Sequence, residues 1–143
     1  MTAEHDRYCR VSANFRKVFD DFHNELRQKV AGGIPINYQH FQKRLMYGLI
    51  YDCKYEVKAA IESRNPGSVK GHGIITFIRE YDGSVLKAIK EGFEALLENR
   101  RALIQLIYPK STRFGCWGTL NGRGENGKRR AQVTCVYDKK RTE

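Results

Sequence analysis

One stretch, residues 113–141 (RFGCWGTLNGRGENGKRRAQVTCVYDKKR), limits what this chain can fold into more than any other. Asn126-Gly127 is the strongest short signal for a two-residue hairpin turn, because a type I′ turn needs positive φ at both central positions. A turn there sets Arg123 opposite Arg130, Thr119 opposite Thr134 and Trp117 opposite Val136. A wider loop, with Cys116 opposite Cys135, shifts the pairing by two residues and leaves every side chain on the same face. In either register Phe114, Cys116, Leu120, Val133, Cys135 and Tyr137 form a core face. Trp117, Thr119, Asn121, Arg123, Arg130, Gln132 and Thr134 form a polar, cationic face with one large aromatic.

The same region holds most of the excess charge. Residues 100–143 contain 11 Lys and Arg against 3 Asp and Glu, whereas the first 99 residues are nearly balanced at 15 against 13. The whole chain carries a formal +10. A basic face with an indole suits nucleic acid: guanidinium forks match phosphate oxygens, and a tryptophan gives a base a surface to stack on. Arg123 facing Arg130 repels on a bare ladder, and an anion between them relieves this.

Upstream, Tyr8, Val11, Phe15, Val18, Phe19, Phe22, Leu26 and Val30 recur every three or four residues, which predicts a helix over 8–31 ended by Gly32-Gly33. Asn37 as N-cap and the stripe Phe41, Leu45, Leu49, Cys53, Val57 and Ile61 predict a second helix over 38–63. Both aromatic stripes read as core. After the turn Asn65-Pro66-Gly67-Ser68, the short β-rich run 73–79 predicts a buried strand. Residues 84–99 form a third amphipathic helix behind Asp82-Gly83-Ser84. The run 102–108 fits either an extension of that helix or a strand; its β-branched content and the stop at Pro109 favour the strand, which makes the third helix a right-handed crossover. Strands over 113–122 and 130–138 complete the hairpin. The expected architecture is α+β in a single domain spanning 1–143. Two leading amphipathic helices pack on a small mixed sheet of about four strands, with one crossover helix and the C-terminal hairpin.

Several motifs match in spelling only. Gly122-Arg-Gly124-Glu-Asn-Gly127 fits G-x-G-x-x-G, but a strand follows where a dinucleotide site needs a helix N-terminus, and too little chain remains for a kinase lobe. The four cysteines (Cys9, Cys53, Cys116, Cys135) and four histidines show no zinc spacing. With a charged amino terminus and no apolar leader or membrane-length run, the cysteines read as reduced buried thiols of an intracellular protein, cytoplasmic or nuclear. Lys128-Arg129-Arg130 and Lys139-Lys140-Arg141 give a weak nuclear-import pattern, the second triplet in a frayed terminus.

The leading expectation is a non-enzymatic nucleic-acid-binding domain, RNA or single-stranded DNA favoured. It would bind through Arg113, Trp117, Asn121, Arg123, Lys128, Arg129, Arg130 and Gln132, with no catalytic residue, metal or cofactor. The second is a protein–protein or assembly module, an adaptor or viral protein, docking on an acidic partner, with the first helix promoting self-association. The third is a small nuclease using His72 or His40 with a nearby carboxylate.

Overall fold

The computed structural model describes residues 9–41, 45–121 and 128–142. In chain order the elements are α1 (Ala13–Ala31), β1 (Ile50–Tyr51), α2 (Cys53–Arg64), β2 (Gly73–Tyr81), α3 (Val85–Leu96), α4 (Arg100–Leu106), β3 (Arg113–Asn121) and β4 (Arg129–Tyr137). The strands form one mixed sheet in the order β1-β3-β4-β2, with β1 parallel to β3 and the other pairs antiparallel. The α+β class and the strand count agree with the sequence reading.

The hairpin forms in the wider register. Cys116 pairs with Cys135, Trp117 with Thr134 and Asn121 with Arg130. The reversal at Asn126-Gly127 lies outside the described residues. Phe114, Cys116, Val133, Cys135 and Tyr137 are buried, as the alternation requires, whereas Leu120 stays 53% exposed. On the core face α1 and α3 cover the sheet, bringing Phe19, Phe93 and His23 against Phe114 and Tyr137. On the other face α2 lies so close to β3 that a Cβ on Gly115 would fall on the backbone of Tyr55 and Glu56.

Two predicted elements differ. Among the described residues, only the second half of the predicted 38–63 helix is helical. Asp52 is the true N-cap, accepting from the Lys54 N–H, and Ile50-Tyr51 pairs with β3. The segment before it is held extended by α1: Asn24 exchanges hydrogen bonds with the backbone of Leu49, and Arg27 Nε donates to the Tyr47 carbonyl. Asn37 is no helix cap. With Tyr38 it takes positive φ in a tight turn closed by the Ile36–Gln39 bridge. The predicted strand over 102–108 is α4, capped by Asn99 Oδ1 on the Ala102 N–H. The crossover from β2 therefore runs through α3 and α4 and ends on β3, which lies parallel to β2 with β4 between them.

Arg27, 2% exposed, is the hub of this half of the molecule. Beyond Tyr47 its guanidinium donates to the carbonyls of Leu106, Tyr108 and Ser111, tying α1 to the end of α4 and the turn into β3. Desolvation lowers its pKa to about 10. Four carbonyl acceptors keep the buried cation solvated by protein dipoles.

The cysteines are oxidised. Cys9 is bonded to Cys53, and Cys116 to Cys135 across the hairpin. The reduced-thiol expectation, drawn from wide spacing, core-facing positions and the absence of an apolar leader, is corrected by both bonds.

Candidate functional site: an apolar cleft beside the hairpin

The first wall of the cleft is an arm, residues 9–12, running extended into α1. Cys9 is fixed by its disulfide to Cys53. The backbone N–H groups of Arg10 and Val11 donate to Glu56 Oε2, at 2.7 and 3.4 Å. Glu56 is 1% exposed, and its other oxygen accepts from the Tyr51 hydroxyl at 2.7 Å. Burial pushes the Tyr51 pKa well up, and the neighbouring Glu56 charge adds to the effect. A buried carboxylate with three donors is a strong anchor, because removing any one leaves the others to compensate a desolvated charge.

Behind the arm, Phe15 and Phe19 of α1 and Ile89 of α3 form the floor, and Trp117, Gly118, Leu120, Ala131, Gln132 and Val133 of the hairpin form the far wall. They enclose about 210 Å³, lined mainly by carbon, with Arg10, Ser12 and Gln132 as polar members. Gly118, paired with Val133, opens this space: a Cβ there would meet no atom within 4 Å. The cleft also explains the exposed Leu120, a core-face residue that finds a void where the pattern anticipates packing.

The residues expected to bind nucleic acid do not converge. Trp117 is half-buried on the α2 side, with the Arg64 guanidinium 5.9 Å from its ring centroid. Arg113 is paired with Asp52 at 3.1 Å. Arg130 sits 3.9 Å from Glu80 and opposite Asn121. Gln132 is half-buried, its register partner Thr119 hydrogen-bonding to Ser63 of α2. Lys128 and Arg129 are exposed, and Arg123 lies outside the described residues. The late cations separate to the two ends of β4, Arg129 and Arg130 at one and Lys139 to Arg141 at the other, roughly 25 Å apart at about 3.3 Å per residue. The histidines of the nuclease reading are likewise apart: His72 Nδ1 lies 3.4 Å from the Asp138 carbonyl with its ring edge-on to Tyr55, and His40 is exposed.

Among the described residues the one grouping of three ligand types is His23, Cys116 and Cys135, all buried. Both sulfurs are in the disulfide. His23 Nδ1 is 2.7 Å from the Phe19 carbonyl, and Nε2 is 2.6 Å from the Tyr137 hydroxyl.

Sequence reasoning placed Val11, Phe15, Phe19 and Ile89 in helical stripes and read them as core. Nothing local marks a stripe residue as lining a void. Only the hairpin glycine opposite Val133 hinted at missing volume.

No protein-family model matches the chain, and no curated protein matches it by sequence. Solved structures do. Two structures of the Ancylostoma-secreted protein Ac-ASP-7, one described as manganese-bound, are 39% identical to it with TM-scores of 0.80. The alignments cover 94% and 95% of this chain and 74% and 75% of theirs. The chain belongs to the Ancylostoma-secreted protein family. BmVAL-1, 16% identical with a TM-score of 0.69 over 90% of this chain and 78% of that one, shares the fold.

Membership of this family corrects the functional reading. Its named relatives are secreted proteins, and this chain carries two disulfides, which persist in oxidising compartments and are rare in the cytosol. The nucleic-acid-binding and intracellular expectations are both overturned. The alternative of an acidic protein partner gains no support. No helix among the described residues is long and apolar enough to cross a membrane.

Proposed function

We propose that this Ancylostoma-secreted-protein homologue is an extracellular, non-catalytic binding protein. It holds a small apolar molecule in the cleft between the 9–12 arm, α1, α3 and the hairpin. The observation that carries the reading is the cleft itself: a carbon-lined space with few polar groups, walled by rigid elements and a disulfide-fixed arm. That is the usual build of a small-molecule site. Arg10 is the one cation in the lining, so an apolar body ending in an anionic or hydrogen-bonding group fits best. Against catalysis stand the engagement of both His23 nitrogens and the contact of His72 with the Asp138 backbone carbonyl, the Asp138 carboxylate being taken by Thr112.

Manganese, named for a relative, does not transfer. That ion prefers hard oxygen and imidazole donors with open positions, and the His23 grouping offers oxidised sulfur and an imidazole with both nitrogens engaged.

Gly118→Leu tests the proposal, because its Cβ meets no atom within 4 Å and the rest of the side chain takes up cleft volume. The wild-type protein should bind an anilinonaphthalene sulfonate dye saturably at one site, and medium-chain fatty acids should displace it. Gly118→Leu should lose at least tenfold in dye affinity at unchanged or higher Tm. Equal dye binding by the variant would remove the proposal.

A further inference from the structure

The end of the molecule away from the hairpin tip carries a second, differently built surface. Residues 138–142 run along α4 and are fastened there by their backbone. Gln105, 3% exposed, donates from Nε2 to the Lys139 carbonyl and accepts at Oε1 from the Arg141 N–H, both at 2.9 Å. Ser111 Oγ donates to the same Lys139 carbonyl, and the Asp138 N–H donates to the Arg113 carbonyl. There is no room to spare under this clamp, since a Cβ on Gly73 would strike the Gln105 amide. The terminal triplet Lys139-Lys140-Arg141, expected from sequence to fray, is therefore held in place.

Arg141 shares a groove with Arg101 at the start of α4. It encloses about 300 Å³, lined also by Ile74, Thr76, Asn99 and Gln105. Lys139 and Lys140 stand exposed beside it, and Lys110 is exposed on the turn that supplies Ser111 to the clamp. Among the described residues, Asp138 spends both oxygens on Thr112, and Glu94 and Glu98 are exposed ahead of α4.

We propose that this ridge binds a sulfated polysaccharide of the extracellular matrix, one sulfate group seated between Arg101 and Arg141 with Lys139 and Lys140 tracking the chain. Guanidinium forks on a pre-fixed backbone suit repeated sulfates, because little side-chain ordering remains to be done on binding. The groove lining has no aromatic ring. Inside the groove a nucleobase has no ring to stack on, Tyr108 lying outside it beside Thr142, whereas a sulfated sugar needs only cations and hydrogen-bond donors. The extracellular setting rests on family membership and the disulfides, and the ridge is independent of the apolar cleft.

The test is retention on immobilised heparin, comparing Arg101→Gln/Arg141→Gln with Arg129→Gln/Arg130→Gln. The second variant removes the same charge from the other end of β4. Arg101, Arg129 and Arg130 are exposed and Arg141 is half-buried, and unchanged Tm confirms that both variants fold. The ridge variant should elute at clearly lower salt, its log Kd against log salt losing about 0.7–0.9 of slope per removed contact, by analogy with counter-ion release on other polyanions. The control should elute with the wild type. Equal losses in both variants would show that only net charge matters, and no retention of the wild type would show that no such site exists; either overturns the assignment. So would displacement of heparin by single-stranded DNA at equal charge concentration. None of these readouts involves the cleft, so the two proposals fail separately.

Discussion

His23 sits where α1, α3 and the hairpin meet, and its ring decides how the core responds to acid. Nδ1 donates to the Phe19 carbonyl, which leaves Nε2 to accept from the Tyr137 hydroxyl. Burial lowers its pKa from 6.5 to about 3, so the folded protein keeps the ring neutral where the unfolded chain takes up a proton. Stability rises with pH wherever the unfolded state binds more protons. The His23 contribution is thus complete above about pH 6.5 and is lost as pH falls toward 3. Asp20, its carboxyl raised by burial, acts with the opposite sign, but within the carboxylate range. Urea melts at pH 7, 5.5 and 4 should show stability falling monotonically, and His23→Gln should flatten the segment between 6.5 and 5. Tyr137→Phe leaves Nε2 buried without a donor and should cost about 1–3 kcal/mol, read from the same melts at pH 7.

Elements whose stabilising partners are local were legible in the sequence, and those fixed by distant side chains were not. The hairpin declares itself by period-two alternation, α1 by its unbroken stripe, and α3 by Ser84, whose hydroxyl accepts from the Lys87 N–H. Residues 45–51 carry a helical spacing yet lie extended, because Asn24 and Arg27, about 20 residues upstream, take their backbone groups. At α4 the β-branched Ile104 and Ile107 outweighed Asn99, the residue that sets the helix start. The cleft was invisible because a void is a property of several elements together, and the Cys9–Cys53 disulfide because its cysteines are 44 residues apart, whereas the wider hairpin register already set Cys116 opposite Cys135. That separation makes the Cys9–Cys53 link a large constraint on the unfolded chain. Cys9→Ser/Cys53→Ser should lower stability by about 4 kcal/mol in denaturant melts and loosen the arm that walls the cleft. Gly115→Ala forces α2 off β3 and should cost about 1–3 kcal/mol, with α2 amides exchanging faster while α1 stays protected.

At the scale of the whole molecule, one sheet separates three surfaces with different chemistry: the carbon-lined cleft, the basic ridge along α4 and the tail, and a hairpin end whose Arg130 faces Glu80. Hairpin alternation and the charge excess of residues 100–143 predicted a polyanion face at the hairpin, and strand direction places the remaining late cations, Lys139 to Arg141, at the opposite end of β4. Sequence composition sees how many charges a chain has, not which end of a strand carries them. The donor set also predicts that millimolar Mn²⁺ leaves Tm unchanged, because no described grouping offers the ion open, hard ligands. Occupancy of the cleft is tested most directly by amide chemical-shift mapping of the isotopically labelled, oxidised protein titrated with a medium-chain fatty acid. Shifts that saturate at one equivalent and cluster at Val11, Phe15, Ile89, Gly118, Leu120 and Val133, with residues 101, 110 and 139–141 unmoved, are the predicted result. Shifts that grow without saturation, or that leave those six residues unmoved, would contradict it.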